Sequence, residues 1–280
     1  MATQLVHIPE IERLSPAVIR ILGGNPSKFA LQGTNTYLLG TGPKRLLIDT
    51  GEGKPSWIAA LKKTLEEEKA SIQTALLTHW HHDHTGGVGQ LLEHSPQTAI
   101  YKNQPTEGQL DISDGQKFEV EGATLTAVHT PGHTVDHMAF ILQEEDALFT
   151  GDNVLGQGTS VFEDLGTYLK SLAKMEKLVG GRAYPAHGPV LPQASATIAE
   201  YISHRHQREQ QVLQTLGSDK DRRLWTPMDL VKVIYRDVPE ALHVPAANGV
   251  AQILRKLRDD DKVILEEGGD AWRLKDRSSL

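Results

Sequence analysis

Residues 78–87 read THWHHDHTGG. His79, His81, His82, Asp83 and His84 are the residue types that bind a borderline divalent cation such as zinc. They follow an apolar run, IQTALL, that reads as a buried strand. In extended backbone alternate side chains point the same way, so His79 and His81 face one point while Trp80 and His82 face another. Asp83 and His84 fall where the chain turns into TGGVGQLLEH, which reads as a helix. That turn aims them at a second point nearby, and Gly86-Gly87 lets the backbone bend there. One segment thereby supplies two partial ligand sets, each short of the roughly four ligands that zinc takes. His82 occupies the slot that faces away and is expected to be solvent-exposed and to bind nothing, a place in the cleft wall being the alternative.

Three outlying residues can complete the sets: His133 in TPGHTVDH, Asp152 in FTGDN and His187 in YPAHGP. Each follows an apolar or strand-like stretch and sits beside a glycine. A carboxylate such as Asp152 can bridge two cations, which a neutral imidazole cannot. Two cations held together lower the pKa of a shared water, so hydroxide becomes available near neutral pH to attack a carbonyl or a phosphorus. They also stabilise the oxyanion that forms. Other hydrolytic machineries are absent from the sequence. There is no G-x-S-x-G elbow, and GEGKPSW has Pro55 where a phosphate-binding loop needs Ser or Thr. With no cysteine there is no thiol nucleophile.

The elements that must position these residues are legible in outline. VIRILGG, NTYLLGTG and KRLLIDTG are strand-like runs ended by glycines. Residues 55–70 read as a helix, with Trp57, Leu61 and Leu65 spaced by four. KFEVEGATLTAVH and HMAFILQEEDALFTGD read as hairpins turning at Glu121-Gly122 and at Glu144 to Asp146. Residues 164–179 are amphipathic, with Asp164 a candidate N-cap, and residues 194–217 form a long helix stopped by Gly217. A charged stretch, SDKDRR, follows. Beyond it lie two helices, the first with Thr226 as N-cap and Pro227 at its first position, and a small hairpin. That order is winged-helix-like. It predicts a catalytic domain over 1–217 and a small C-terminal domain over 218–280.

The 280 residues carry a net charge of −7, which disfavours a global electrostatic grip on nucleic acid. In the second C-terminal helix, Arg255, Lys256 and Arg258 sit where a winged helix reads DNA. Asp259, Asp260 and Asp261 follow directly and repel phosphate, which argues against sequence-specific DNA binding. The absence of cysteine fits a reducing compartment. No basic-then-apolar leader is visible, and no apolar run reaches the roughly 20 residues that span a bilayer. The expectation is a cytoplasmic protein without membrane partners.

The motifs stand in the order expected of metallo-β-lactamase-fold hydrolases, and the chain resembles that superfamily. LLIDTGEG carries the matching upstream aspartate, Asp49. The resemblance implies an α+β fold, a four-layer αββα sandwich with a dinuclear site at one edge. By it, His79, His81 and His133 bind the first metal, Asp83, His84 and His187 bind the second, and Asp152 bridges. The cofactors would be two divalent ions, zinc foremost, with manganese or iron accepted by the same donors. The resemblance also gives Asp83 a proton-shuttling task. Asp49 reads either as the carboxylate orienting a metal-binding histidine or as a strand-end cap. Asn35, in GTNTY, falls near the cleft by the same likeness, tying loops together or touching substrate. His137 is expected to pack or hydrogen-bond behind His133, a substrate contact being the alternative. His204 shares a helix face with Arg208; it reads as part of a solvated face, or as a contact to an anionic carrier or substrate.

The likeness continues through LGGNPSKFALQGTNTYLLGTG, SVFEDL and YISHRHQREQQVL, to the lactamase-β-2 branch with its winged-helix-like C-terminal domain. Within that branch the chain is most similar to fungal thioesterases that release aromatic polyketide acids, of the atrochrysone carboxylic acid type, from the acyl carrier protein of a polyketide synthase. The lactamase-β-like-2 endoribonuclease shares nearly all these motifs. The resemblance therefore implies hydroxide attack on a thioester with an acyl carrier protein as partner. The alternative is cleavage of single-stranded RNA by the same centre.

Overall fold

The computed structural model describes residues 5–218, 224–240 and 243–275; from residue 219 on, the SDKDRR stretch lies outside the described residues. The first sheet runs in chain order: β1 (Ile11–Arg13), β2 (Val18–Leu22), β3 (Asn35–Leu39), β4 (Lys44–Ile48), β5 (Ser71–Leu77), β6 (Ala99–Lys102) and β7 (Leu110–Asp111). It is antiparallel up to β4 and parallel from β4 to β7. The switch is made by α1 (Pro55–Glu67), the crossover that lets β5 run beside β4. The second sheet comprises β8 (Lys117–Val120), β9 (Ala123–His129), β10 (Met138–Leu142), β11 (Ala147–Gly151) and β12 (Ala183–Pro185), adjacent in that order. The two expected hairpins are β8–β9 and β10–β11, turning where the sequence predicts.

The strand sequences are apolar on both faces because both faces are covered. In β4, Leu46 and Ile48 point into the core between the sheets and Leu47 into the layer under α1. β5 does the same, with Leu76 on one side and Ala75 and Leu77 on the other. The inter-sheet core is closed from the second sheet by Leu125, Met138, Phe140 and Phe149. Trp57, Leu61 and Leu65 of α1 and Leu91 of α3 (Val88–His94) fill the outer layer. Trp57 is wholly buried and donates its indole N–H to Thr36 Oγ1 at 3.0 Å. With α4 (Leu165–Met175) and the start of α5 (Ala194–Leu216) as further helices, this is the αββα sandwich expected.

Local outcomes differ from the sequence reading at three places. α4 stops at Met175 rather than near 179, because Lys177 and Leu178 donate to carbonyls only three residues back, tightening the chain out of the helix. The helix read in TGGVGQLLEH is two: α2 (His82–Thr85) and α3, broken at Gly86-Gly87. Glycine is required at the junction for a steric reason. A Cβ on Gly87 would stand 2.1 Å from the Thr50 carbonyl oxygen and 2.5 Å from the Trp57 ring. The second C-terminal helix begins at His243, two residues before Pro245, which then sits in its first turn.

The described residues divide into two compact units, the first up to Glu163 plus Thr167–Ala199, the second Asp164–Gly166 plus Glu200 onward. In the second, Thr226 and Asp229 form a capping box at the start of α6 (Pro227–Ile234). α7 (His243–Asp259) and the hairpin β13 (Val263–Leu265) and β14 (Trp272–Leu274) follow. Leu230, Val231, Leu254, Leu257 and Trp272 are buried. Lys256 is paired with Glu209 at 2.7 Å and Asp260 at 2.9 Å, and Arg258 with Asp259 at 3.2 Å. No helix among the described residues is long and apolar enough to cross a membrane.

Candidate metal centre

Strands β4, β5, β9, β11 and β12 each end in a loop that carries a site residue: Asp49, the His79–His84 run, His133, Asp152 and His187. Within the second sheet, β9 and β11 flank the antiparallel β10 and β12 runs parallel to β11, so three of these loops leave one edge. All seven expected ligands converge. His79 Nε2, His81 Nδ1 and His133 Nε2 lie 2.8, 3.1 and 3.3 Å apart. Asp152 Oδ2 is 3.5 Å from His133 Nε2, and Asp152 Oδ1 is 3.4 Å from His84 Nε2 and 3.2 Å from His187 Nε2. Asp83 Oδ2 lies 3.5 Å from His84 Nε2 and 3.3 Å from His187 Nε2. Two groups able to hold a cation result: His79, His81, His133 and Asp152; and Asp83, His84 and His187.

Hydrogen bonds behind the rings decide what the rings present. Asp49 Oδ1 accepts the Thr78 N–H at 2.8 Å, and Asp49 Oδ2 accepts the Thr78 hydroxyl at 2.9 Å. With its one proton given to Asp49, Thr78 Oγ1 accepts from His79 Nδ1 at 3.0 Å. His84 Nδ1 donates to Asp49 Oδ2 at 2.8 Å, and His133 Nδ1 to the Val161 carbonyl at 2.8 Å. This pattern places a proton on the outer nitrogen of His79, His84 and His133. With their protons outside, His79 Nε2 and His133 Nε2, 3.3 Å apart, cannot hydrogen-bond each other. His84 Nε2 and Asp152 Oδ1, both buried, have no hydrogen-bond partner among the described residues. Three nitrogens and a carboxylate on one side, and a carboxylate with two nitrogens that must first give up protons on the other, fit divalent cations.

Asp49 thus contacts both Thr78 and His84, at a backbone φ of 58°, a region an aspartate tolerates better than most residues. Asn35 is buried and ties loops together. Its Nδ2 donates to the Pro185 and Gly188 carbonyls, both at 2.8 Å, and Tyr37 Oη donates to Pro185 at 2.6 Å. β3 thus fastens the loop that carries His187. His137 lies behind Asp152 more than behind His133: its Nε2 accepts the Asp152 N–H at 3.1 Å. The close approach needs Gly151, at φ 51°, where a Cβ would meet His137 Nε2 at 2.4 Å. His82 is exposed, as expected, and also lines a cavity with Asp83. His204 lies on α5 in the second unit and is not one of the converging residues.

Sequence reasoning missed Thr78, Thr34 and Asn25. Thr34 Oγ1 lies 3.5 Å from Asp83 Oδ2, and Asn25 brackets Thr34 by bonds of 2.9 and 3.0 Å. Only the short spacing of Thr78 from His79 signalled any of them.

The electrostatics split the cluster. Burial, helped by the neighbouring His84 charge, pushes His79 well below the usual histidine range. Burial and then His133 push His81 down. Burial also opposes charge on His84 and His187, but Asp152 outweighs it, joined by Asp49 at His84. His84 is held well above the usual range and His187 at about 9. For Asp83 burial pulls upward, but the His187 bond and the His84 charge prevail and hold it at about 2. Asp152 is likewise held well below the carboxylate range against its burial, by His187 and His84.

The fold and this cluster define a metal-dependent hydrolase. A model of the metallo-beta-lactamase superfamily matches residues 30–105 and 100–187, and one of the beta-lactamase associated winged helix domain matches residues 226–272. The chain belongs to the metallo-β-lactamase superfamily, with the winged-helix domain at its C-terminal side. It is 49% identical over 274 residues to the lactamase-like protein adaB of Aspergillus niger, covering 94% of this chain and 86% of that protein. It is 48% identical over 278 residues to a protein of Aspergillus chevalieri named atrochrysone carboxyl ACP thioesterase, covering 97% of this chain and 90% of that one. Among solved structures, a beta-lactamase domain protein from Burkholderia ambifaria shares the fold with a TM-score of 0.79 at 17% identity, over 98% of this chain and 96% of that one.

Proposed function

We propose that this chain is a thioesterase that releases an aromatic polyketide acid from an acyl carrier protein. The near-full-length likeness to the Aspergillus chevalieri thioesterase carries this reading, and the character of the rim around the cluster supports it. Phe29, Trp80, Val135 and Val161 are 75, 52, 57 and 62% exposed. Trp80 stands between two of the ligands, Val135 is two residues past a third, and the Val161 carbonyl holds His133. Apolar side chains left in water around a polar centre suit an apolar acyl group.

In this reading His79, His81 and His133 hold one cation, Asp83, His84 and His187 hold the other, and Asp152 lies between; zinc is the ion we propose. When bound, the cations supply Lewis acidity, lowering the pKa of water and stabilising negative charge on the carbonyl oxygen. The rest falls to the chain. Asp83 is ionised, and its side chain is 30% exposed against 13% for Asp152, the other carboxylate of the cluster. It is the group placed to take the proton from the attacking water. Asp49 and Thr78 keep His79 and His84 in the tautomer that faces the cluster. The departing thiolate is stable without protonation, so no general acid is required. We place the catalytic domain over residues 1–217 and the winged-helix domain over 218–280, with the enzyme in the cytoplasm.

The test is direct. Purified, metal-loaded protein is given an aryl thioester of acyl carrier protein and, separately, single-stranded RNA, with thiol release and strand cleavage as readouts. Thioester hydrolysis that stops on chelation and returns with zinc is expected. Metal-dependent cleavage of RNA without thioester hydrolysis overturns the reading in favour of the endoribonuclease.

A further inference from the structure

Two cavities open beside the cluster, and one side chain lines both. The larger, of about 390 Å³, is bounded by Asn25, Pro26, Phe29, Lys54, His82 and Asp83 among others. The smaller, of about 260 Å³, is bounded by Lys28, Phe29, His133, Asp152, Gln157 and Ser160 among others. Each cavity reaches a different half of the cluster, the larger at Asp83 and the smaller at His133 and Asp152.

We propose that Phe29 divides the substrate cleft, with the acyl group in the Asp83 arm and the pantetheine thiol chain in the His133 arm. This rests on the thioesterase reading. Hydrolysis adds the oxygen of water to the thioester carbon and breaks the C–S bond, whose electron pair leaves on sulfur; the protons of water pass to the acid and thiol products or to solvent. The carbon must therefore sit at the junction, with acyl group and sulfur leading away from it on opposite sides. A cleft with two arms meeting over the cluster has that shape.

The assignment of the arms follows from size and chemistry. The larger cavity lies within the range of roughly 300–1,000 Å³ that holds a drug-sized ligand, and the smaller falls below it. A fused aromatic acyl group fits the first and a slim chain the second. The larger arm offers the Phe29 ring and Pro26 as apolar surface. Its polar edge is His82 and the Lys54–Glu52 pair, 3.0 Å apart, suited to phenolic hydroxyls. The smaller arm carries an unmet polar atom: Gln157 Oε1 is buried and has no hydrogen-bond partner among the described residues. An unpaired buried acceptor costs stability unless something donates to it, and the amide N–H groups of pantetheine are such donors. Lys28, whose Nζ stands 5.8 Å from the Phe29 ring centroid, places a cation at the same arm for the phosphodiester at the far end of the chain.

The experiment measures kcat/KM for 2-naphthoyl and acetyl thioesters, each on pantetheine and on the truncated N-acetylcysteamine. One ratio, naphthoyl over acetyl, reads the acyl arm; the other, pantetheine over N-acetylcysteamine, reads the thiol arm. His82→Ala is expected to lower the first ratio roughly three- to tenfold and leave the second within about twofold. Gln157→Ala is expected to do the reverse, by the roughly two- to tenfold that one hydrogen bond is worth. Phe29→Ala should lower both. Metal content is measured for each variant, and His82→Asn and Gln157→Met replace any alanine variant that loses metal. If both variants move the same ratio, move the opposite ones, or move neither while the wild type hydrolyses thioesters, the division is wrong. If the metal-loaded wild type hydrolyses none of the four substrates, the thioesterase reading itself fails and the division with it.

Discussion

The two halves of the cluster are built from similar residues and prepared for a cation in opposite ways. His79 and His81 sit where burial and neighbouring rings keep them neutral, so their inward lone pairs are available without losing a proton. His84 and His187 sit against Asp83 and Asp152, whose charges hold protons on the rings before any cation arrives. The nitrogen-rich half is therefore ready for metal, while the carboxylate-rich half must exchange protons for it. The same contrast sets the pH response of the metal-free protein. His79 and His81 titrate below an unfolded histidine, so their contribution to stability is full above about pH 6.5 and is lost as pH falls through the folded values. His187 runs the other way: its contribution is full below about pH 6.5 and is lost as pH rises through about 9.

The most severe way to break the contrast is to remove the residue common to both halves. Asp152 reaches His133 with one oxygen and His84 and His187 with the other. Asp152→Asn is expected to lower kcat/KM at least about a thousandfold, the equivalent of several kcal/mol of lost charge stabilisation. It should also reduce the bound metal. A variant that keeps full metal content and activity would show that the halves act independently. Next in size is the pH dependence of loading. Calorimetry in buffers of different ionisation enthalpy should find about two protons released by the cation entering the His84–His187 half near neutral pH, and about none by the other. The affinity of the proton-releasing half then changes roughly a hundredfold per pH unit. Equal proton release at both steps contradicts the electrostatic division.

The grouping of His79 with His81 and of Asp83 with His84 matches the sequence expectation, but not through strand alternation, because β5 ends at Leu77. Residues 79 and 80 lie in a bend past the end of β5, which still brings His79 Nε2 and His81 Nδ1 to 2.8 Å, and the one-turn helix α2 carries Asp83 and His84 to the second group. The supports were less legible. Thr78, Thr34 and Asn25 are common polar residues with no motif, and they matter only through contacts that cross between strands or loops. The β4–β5 pairing that puts Asp49 beneath Thr78 is a matter of register, which single-sequence periodicity does not specify. His137 packs edge-on against His133 at 5.9 Å, as the sequence suggests, and what the sequence did not show is its bond to the Asp152 N–H, past the end of the neighbouring hairpin strand. The need for glycine at 87 was hidden because the groups that exclude a Cβ there, the Thr50 carbonyl and the Trp57 ring, come from elsewhere in the chain. The rim residue Phe29 carried no signal at all, since an isolated aromatic in a loop is read as ordinary surface.

These supports allow finer tests of the same contrast. Asp49→Asn would turn an amide N–H₂ toward the N–H of His84 while sparing the nitrogen-rich half any direct contact. Loss of such a partner typically costs 10–100-fold in metal affinity. That loss is expected in the proton-releasing half, read as the second equivalent in a metal titration, with the first unchanged within a few-fold. Equal weakening of both equivalents would mean that Asp49 acts through the Thr78–His79 bond as much as through His84. Thr34→Val is the mildest. It removes the hydroxyl near Asp83 Oδ2 and the partner of Asn25 while keeping the side-chain shape. The contact at 3.5 Å is long, so the expected fall in kcat is roughly two- to tenfold, the worth of about one hydrogen bond. Because Asp83 is the proposed proton acceptor, the fall should appear in kcat with KM and metal content unchanged. A rise in KM alone would assign Thr34 to the wall of the cleft instead.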